Sequence, residues 1–289
     1  MTAVIAVESS ADISARRREL RSIALRATGR ALGRSLFTAL VSLLVIVLVW
    51  LAVVKLFGVS TYITQTPLDV WKFLFVGDTA AANRDVIGEQ LATTLAHSAF
   101  GFLVGMAAAV LIAIAFRLSV TVESAFMPFA LLLRSVPLLA LAPIIFLIFG
   151  IGSQASVGII GGIVVLFPAL VNIAFGLKNS SPQMLDVVHV FGGSTLTIVR
   201  KVALPAALPS LFAAIRISIP GAITGALLAE WLSTGDGIGG AANKEITLGD
   251  FPLLWASSVV ITIVSLLLYM IVQAIESAVL ARMGMATDR

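Results

Sequence analysis

Six apolar runs, each long enough to cross a lipid bilayer, leave this chain little choice of fold. A helix rising 1.5 Å per residue needs about 20 apolar residues to span a hydrocarbon layer of roughly 30 Å. Runs at about 35–57, 91–116, 124–149, 155–177, 210–232 and 251–280 meet that length. Hydrocarbon offers the backbone no hydrogen-bond partner, so the runs are expected as helices and the protein as all-α. Of 289 residues, 59% are hydrophobic and 12% charged, which excludes an ordinary soluble domain. The absence of cysteine excludes disulfide and thiol chemistry, and His97 and His189 are too far apart to suggest a zinc cluster. Most of the net charge of +4 lies beside the apolar runs, so lipid headgroups are its expected partner and nucleic acid is not.

The organisation follows from charge. Residues 1–34 are polar and basic, with Arg26, Arg30 and Arg34 at the i, i+4, i+8 spacing of one helix stripe. That arm is read as an interfacial helix leading to a six-span domain at 35–281, with a short tail at 282–289. If the spans alternate, Arg117, Lys178, Arg200, Lys201, Arg282 and Arg289 fall on the side of the N-terminus. The other side carries Lys55, Lys72, Arg84 and Lys244 against seven acids: Asp69, Asp78, Asp85, Glu89, Asp236, Glu245 and Asp250. Both termini and the 178–209 loop are therefore expected to be cytoplasmic.

The 178–209 loop is a polar island between apolar runs, and it has the marks of two short helices. Ser181 can cap the first, with Pro182 at the first helical position, and Gly192-Gly193 can end it. Ser194 can cap the second, and Pro205 and Pro209 punctuate the return to the bilayer. Asp186, Arg200 and Lys201 could make polar docking contacts, while Val187, Val188 and Phe191 could fill an apolar groove.

This loop resembles that of the permease subunits of bacterial ABC importers, whose pattern is Glu-Ala-Ala, three residues, Gly, then about nine residues to Leu-Pro. Asp186-Val187-Val188 stands at the Glu-Ala-Ala position, Gly192 matches the glycine and Leu204-Pro205 the Leu-Pro. Asp for Glu and valines for alanines are departures that leave the spacing intact. Leu133-Arg134-Ser135-Val136-Pro137, Ala142-Pro143 and Phe149-Gly150-Ile151-Gly152 are similar to the third span of the nitrate, sulfonate and taurine branch. Phe167-Pro168, Asn172, Gly176-Leu177, Ile215-Arg216-Ile217, Ala229-Glu230 and Gly237-Ile238-Gly239 extend the likeness over about residues 90–280.

The resemblance implies a permease fold of the type I importer kind in a bacterial inner membrane. It implies a second permease subunit, identical or a sibling, and a solute-binding protein outside. ATP and magnesium would belong to separate ATPase subunits, with no cofactor in this chain. Coupling to the ATPase would run through Asp186, Val187, Val188, His189, Phe191, Gly192, Gly193, Leu204 and Pro205. The implied cargo is a small nutrient, with a sulfonate, taurine or nitrate-like anion favoured and a thiamine-pyrimidine precursor as alternative.

Charges within the apolar runs are the remaining candidates, because an ionisable group in hydrocarbon is costly. Arg134 sits about eleven residues into the third run, roughly 15 Å deep, with Pro137 and Pro143 after it. An element of an anion path and a structural brace are both open readings. Arg216 is close enough to Pro209 to reach the interface, and Glu230, near the far end of its run, to reach the outer surface. Phe167 and Asn172 mark a bend in the fourth run, with helix–helix bridging the commoner use of such an amide. An ion-coupled secondary transporter using Arg134 and Glu230 is the alternative from another class. Gly101 and Gly105, like Gly158 and Gly162, have the G-x-x-x-G spacing of close helix packing, expected here within one bundle. Gly235-Asp236-Gly237-Ile238-Gly239-Gly240 matches the dinucleotide fingerprint literally, but no strand precedes it, and a flexible turn is expected instead. No phosphate-binding G-x-x-x-x-G-K-[ST] or nucleophile G-x-S-x-G occurs, so the chain is not expected to be an enzyme.

Overall fold

A computed structural model describes residues 41–56, 58, 60 and 62–283, and the backbone alone at Leu133 and Arg134. The expected interfacial helix at 1–34 and the tail residues 284–289 lie outside the described residues. The chain divides into two compact units at Pro67.

The first unit contributes helix α1, Val41–Leu56, the described part of the first apolar run. Within the same unit the Trp50 indole N–H donates to the Gln65 carbonyl at 3.1 Å, tying the following connection back to α1.

Among its described residues the second unit consists of helices joined by short connections. It runs α2 (Pro67–Phe75), α3 (Ala80–Leu118), α4 (Val120–Ser135), α5 (Leu138–Phe149) and α6 (Gln154–Lys178), then α7 (Pro182–Val190) and α8 (Thr195–Ile198). A π turn at Val199–Ala203 leads to α9 (Leu204–Ala206) and α10 (Leu208–Ala229). A second π turn (Glu230–Thr234), α11 (Gly237–Leu248) and α12 (Phe251–Arg282) complete it. Among the described residues four helical stretches are long and apolar enough to cross a bilayer: Ala80–Leu118, Gln154–Lys178, Leu208–Thr234 and Phe251–Arg282.

The centre of the unit is built from small residues. Gly101, Gly105, Ala109 and Ala113 recur every fourth position on α3 and are all buried, while Leu103 and Leu111 on its other side are exposed. This is the arrangement a bilayer favours, because lipid tails solvate large apolar side chains and helices gain by close backbone approach. A Cβ at Gly101 would lie 2.8 Å from Gly161 Cα on α6, and one at Gly225 on α10 would lie 2.8 Å from the same atom. Gly161 is thus the crossing point of three helices. Toward the loop end of the same helices, Ala109, Ala113 and Phe116 of α3 meet Ala169, Leu170, Ile173 and Leu177 of α6 and Ala214 of α10.

The third apolar run is a broken helix. α4 ends at Ser135 and α5 begins at Leu138, with Pro137 in an extended conformation (φ −61°, ψ 114°) between them. Pro137 has no N–H to donate and its ring opposes the carbonyl four residues back, while the β-branched Val136 before it is pushed out of the helical region. α3 also starts eleven residues earlier than its apolar run, because 80–90 is helix-forming but polar and projects beyond the hydrocarbon length. The glycine-rich 235–240 segment is not the flexible turn expected of it. Gly237, Gly239 and Gly240 are buried in the first turn of α11, packed against α10 and its π turn.

Candidate functional site

The 180–209 loop forms the two short helices its caps foretell. The Ser181 hydroxyl accepts from the Met184 N–H at 3.4 Å, and Pro182 opens α7 where its missing N–H leaves nothing unpaired. Gly192, at φ +72°, turns the chain out of α7, with its N–H donating to the His189 carbonyl at 2.9 Å. The Gly193 N–H reaches the Val188 carbonyl at 2.8 Å, and a Cβ there would collide with the Val188 side chain. Ser194 then caps α8 through the Thr197 N–H.

The two halves of the loop differ in burial. No residue of α7 is buried, and Met184, Val187, Val190 (82% exposed) and Phe191 (86% exposed) present large apolar side chains beside exposed Asp186 and His189. From α8 onward Ile198, Val199, Ala203 and Ala207 are buried, and Leu204 and Pro205 half-buried. Ala203 and Ala207 join Phe116 and Leu177 in the apolar cluster at the ends of α3 and α6. The loop is therefore an exposed helix on a rooted base. Two polar contacts brace the same end: Arg117 Nε donates to the Leu177 carbonyl at 3.2 Å, and Lys178 pairs with Glu123 of α4 at 2.6 Å.

At the opposite end of the bundle Glu230 does not reach the surface. It is 0% exposed, and its carboxylate is held by three residues from two helices. Thr94 Oγ1 of α3 donates to Oε2 at 2.8 Å, His97 Nδ1 of α3 lies 2.9 Å from Oε1, and the Gly239 N–H of α11 donates to Oε2 at 2.9 Å. Thr94 Oγ1 also accepts from the Ile238 N–H at 2.8 Å. Glu230 and Thr94 thus take two of the otherwise unpaired N–H groups that open α11. A Cβ at Gly237 would lie 2.5 Å from the Glu230 carboxyl, so the glycines of this segment make room for that carboxylate. One layer further out, Gln90 of α3 donates to Glu245 Oε1 of α11 at 3.3 Å and accepts from Ser257 Oγ of α12 at 3.4 Å.

Arg216 does not snorkel. It is largely buried, its Nη1 lies 3.0 Å from Glu276 Oε2 of α12, and its guanidinium stands 5.7 Å from the Tyr269 ring. Arg134 falls in the last turn of α4, just before the break at Pro137, and its side chain lies outside the described residues. Phe167 and Asn172 are half-buried on α6, where Asn172 Nδ2 donates to the Pro168 carbonyl of its own helix at 2.8 Å and bridges no other helix among the described residues. The intramembrane candidates are therefore dispersed, while the loop residues form one continuous feature. Thr94, His97, Gln90, Ser257 and Glu276 belong to the polar framework and were missed as single residues. The signal was present as Thr94, His97 and Ser98 at i, i+3, i+4 in an apolar run.

Comparison with known proteins follows the same lines. The family described as binding-protein-dependent transport system inner membrane component matches residues 101–285. A probable ABC transporter permease protein of Haemophilus influenzae is 26% identical over 222 residues, 77% of this chain and 88% of that one. The formylaminopyrimidine transport permease protein ThiX of Halalkalibacterium halodurans is 25% identical over 235 residues, 81% of this chain and 90% of its own. The taurine transport system permease protein TauC of Escherichia coli is 27% identical over 232 residues, 79% and 83% of the two chains. Among solved structures, a chain of the inward-facing MetNI methionine ABC transporter superposes with a TM-score of 0.53 at 21% identity. That match covers 70% of this chain and 97% of that one, a likeness of fold.

Proposed function

The chain belongs to the binding-protein-dependent transport system inner membrane component family, and from that premise we propose that it lines the path of an ATP-driven importer and couples to a separate ATPase through α7. The observation that carries this reading is the contrast within the loop. α7 buries nothing and shows Met184, Val187, Val190 and Phe191, whereas its base is rooted between α3 and α6. An exposed apolar helix with a polar margin, Asp186 and His189, is the surface a partner subunit needs. A rooted base lets movement of that partner act on the spans as on a lever. The charge bias puts this loop on the cytoplasmic side, where ATPase subunits bind. The partners completing the reading are a second permease subunit and an extracytoplasmic solute-binding protein, in a bacterial inner membrane.

The cargo on this reading is a small nutrient, with an anion of the sulfonate, taurine or nitrate kind favoured by the branch likeness and by TauC among the relatives. A formylaminopyrimidine is the second reading, supported by the length over which ThiX aligns. The ion-coupled alternative finds no support, since the Glu230 carboxylate is engaged by Thr94, His97 and Gly239.

The test is co-purification of the full chain with its ATPase, comparing wild type with a Val190→Asp/Phe191→Asp variant. Both side chains are exposed, so the variant should melt like wild type and lose the ATPase. A variant that keeps the ATPase, or a wild type that transports without ATP, would defeat the reading. Uptake of labelled taurine against labelled formylaminopyrimidine then separates the two cargoes.

A further inference from the structure

We infer that the cavity at the root of the loop, lined by Leu196, Thr197, Arg200 and Lys201, binds the phosphate headgroup of an anionic lipid. The cavity measures about 330 Å³, enough for a phosphodiester and the start of its glycerol. Two adjacent cations line it, and among the described residues neither has an acidic partner. Three cations near the same end or within the bundle are engaged instead: Arg117 by the Leu177 carbonyl, Lys178 by Glu123 and Arg216 by Glu276.

The backbone accounts for the convergence. Arg200 and Lys201 lie in the π turn, whose i→i+5 hydrogen bonding widens the turn and rotates successive side chains through a smaller angle than an α-helix does. Two neighbouring residues can then face one cavity. Thr197, on the preceding turn, adds a hydroxyl donor, and Leu196, exposed, adds an aliphatic surface.

Depth selects the ligand. Val199 and Ala203, on either side of the two cations, are buried, and the π turn packs on α3 and α6. Ala203 touches the cluster of Phe116 and Leu177, the residues directly before Arg117 and Lys178. The cations therefore sit where α3 and α6 leave the apolar layer, within the headgroup zone of roughly 5–7 Å that flanks the hydrocarbon. A phosphate there comes with acyl chains that can lie along the exposed apolar flank. A protein partner has a better surface on α7, which buries none of its residues and presents four large apolar side chains with its cap. This inference requires that the chain spans a membrane and is independent of the ATPase reading.

Native mass spectrometry of the full chain in mild detergent tests it, with phosphatidylglycerol and phosphatidylcholine titrated in turn. Wild type should retain phosphatidylglycerol in preference, and Arg200→Gln/Lys201→Gln should bind it about thirty-fold more weakly, the effect expected for two near-surface cations. The charge-conserving Arg200→Lys/Lys201→Arg variant should bind like wild type, as should Lys244→Gln at the far end of the bundle. Should the glutamine variant fail to fold, the same site predicts that wild-type retention weakens as salt is raised while phosphatidylcholine retention does not. Equal binding by wild type and the glutamine variant would overturn the assignment, as would displacement of the lipid by millimolar inorganic phosphate, which would mark a free-phosphate site. Loss of a co-purifying ATPase with lipid binding unchanged would reassign the cations to a protein contact.

Discussion

Glu230 and His97 are 133 residues apart in the chain, and their side chains meet at 2.9 Å in the buried interior. The contact joins the π turn that follows α10 to α3, and the Gly239 N–H on the same carboxylate adds α11. Glu230→Ala removes the acceptor from Thr94, His97 and Gly239 at once. A loss of about 3–5 kcal/mol is expected, because several buried groups lose their hydrogen-bond partner together, each at about 1–3 kcal/mol. Glu230→Gln keeps one acceptor oxygen and should cost less, and Thr94→Val, which orphans the Ile238 N–H, about 1–3 kcal/mol. Thermal unfolding of the detergent-solubilised protein should rank the variants in that order. A Glu230→Ala protein that melts with wild type would show that the carboxylate does not hold the three elements together.

Two glycine substitutions should have opposite signs. A Cβ at Gly239 would collide with the Leu227 carbonyl and approach Glu230 Cβ at 2.9 Å, so Gly239→Ala must shift α11 off α10. Gly88 sits mid-helix on the exposed face of α3 with nothing within 4 Å. Gly88→Ala should stabilise by up to about 1 kcal/mol through helix propensity alone. The pair is read in the same melting experiment, and Gly239→Ala melting at or above wild type would sink the close-packing account.

Four of the six expected spans stand as helices of crossing length among the described residues, legible because the length of an apolar run reports the thickness of hydrocarbon directly. The loop was legible because capping is local: Ser181, Pro182 and Ser194 act on N–H groups within three residues. What could not be read depended on partners remote in the chain. Nothing local to Glu230 tells that His97 and Thr94 will meet it, so its position near a span end suggested the surface. Arg216 likewise meets Glu276, sixty residues on, and so has no need to reach the interface. The glycine-rich 235–240 segment read as a loose turn because glycine signals both freedom and proximity, and only the neighbouring Glu230 carboxylate reveals proximity as its use. The break at Pro137 was visible as a proline but hidden by the unbroken hydropathy of residues 138–149.

The Arg216 and Glu276 pair invites a double substitution. Nη1 lies 3.0 Å from Oε2, an ion-pair distance without the alignment of a hydrogen bond, and Arg216 Nε is buried without an acceptor among the described residues. So poorly satisfied a pair gives little return on its desolvation. Arg216→Met or Glu276→Leu alone leaves the other charge unpaired and should cost about 3–5 kcal/mol, whereas the double variant should return close to wild-type stability. A double variant as unstable as the sum of the singles would mean that the pair itself stabilises the bundle.

Glu245, on α11 outside the spans, should make stability depend on pH. It is buried, and only one of its oxygens is bonded, to Gln90, while Oε2 has no partner among the described residues. Burial raises its pKa above the ordinary 4.5; the Gln90 hydrogen bond opposes this, nearby Asp250 adds to it and Lys244 opposes it. With a raised folded-state pKa, the unfolded chain releases this proton first as pH climbs. The folded state then binds more protons than the unfolded one, and stability falls through the window from 4.5 up to the folded-state value, levelling off above it. Glu245→Gln keeps an acceptor for Gln90 and has no proton to lose. Its melting temperature should therefore exceed that of wild type by a margin that is small in acid, widens across that window and stays constant beyond it. Melting curves of both proteins from pH 4 to pH 8 measure the margin. A difference that does not change with pH would place the cost of Glu245 in packing rather than in its buried charge.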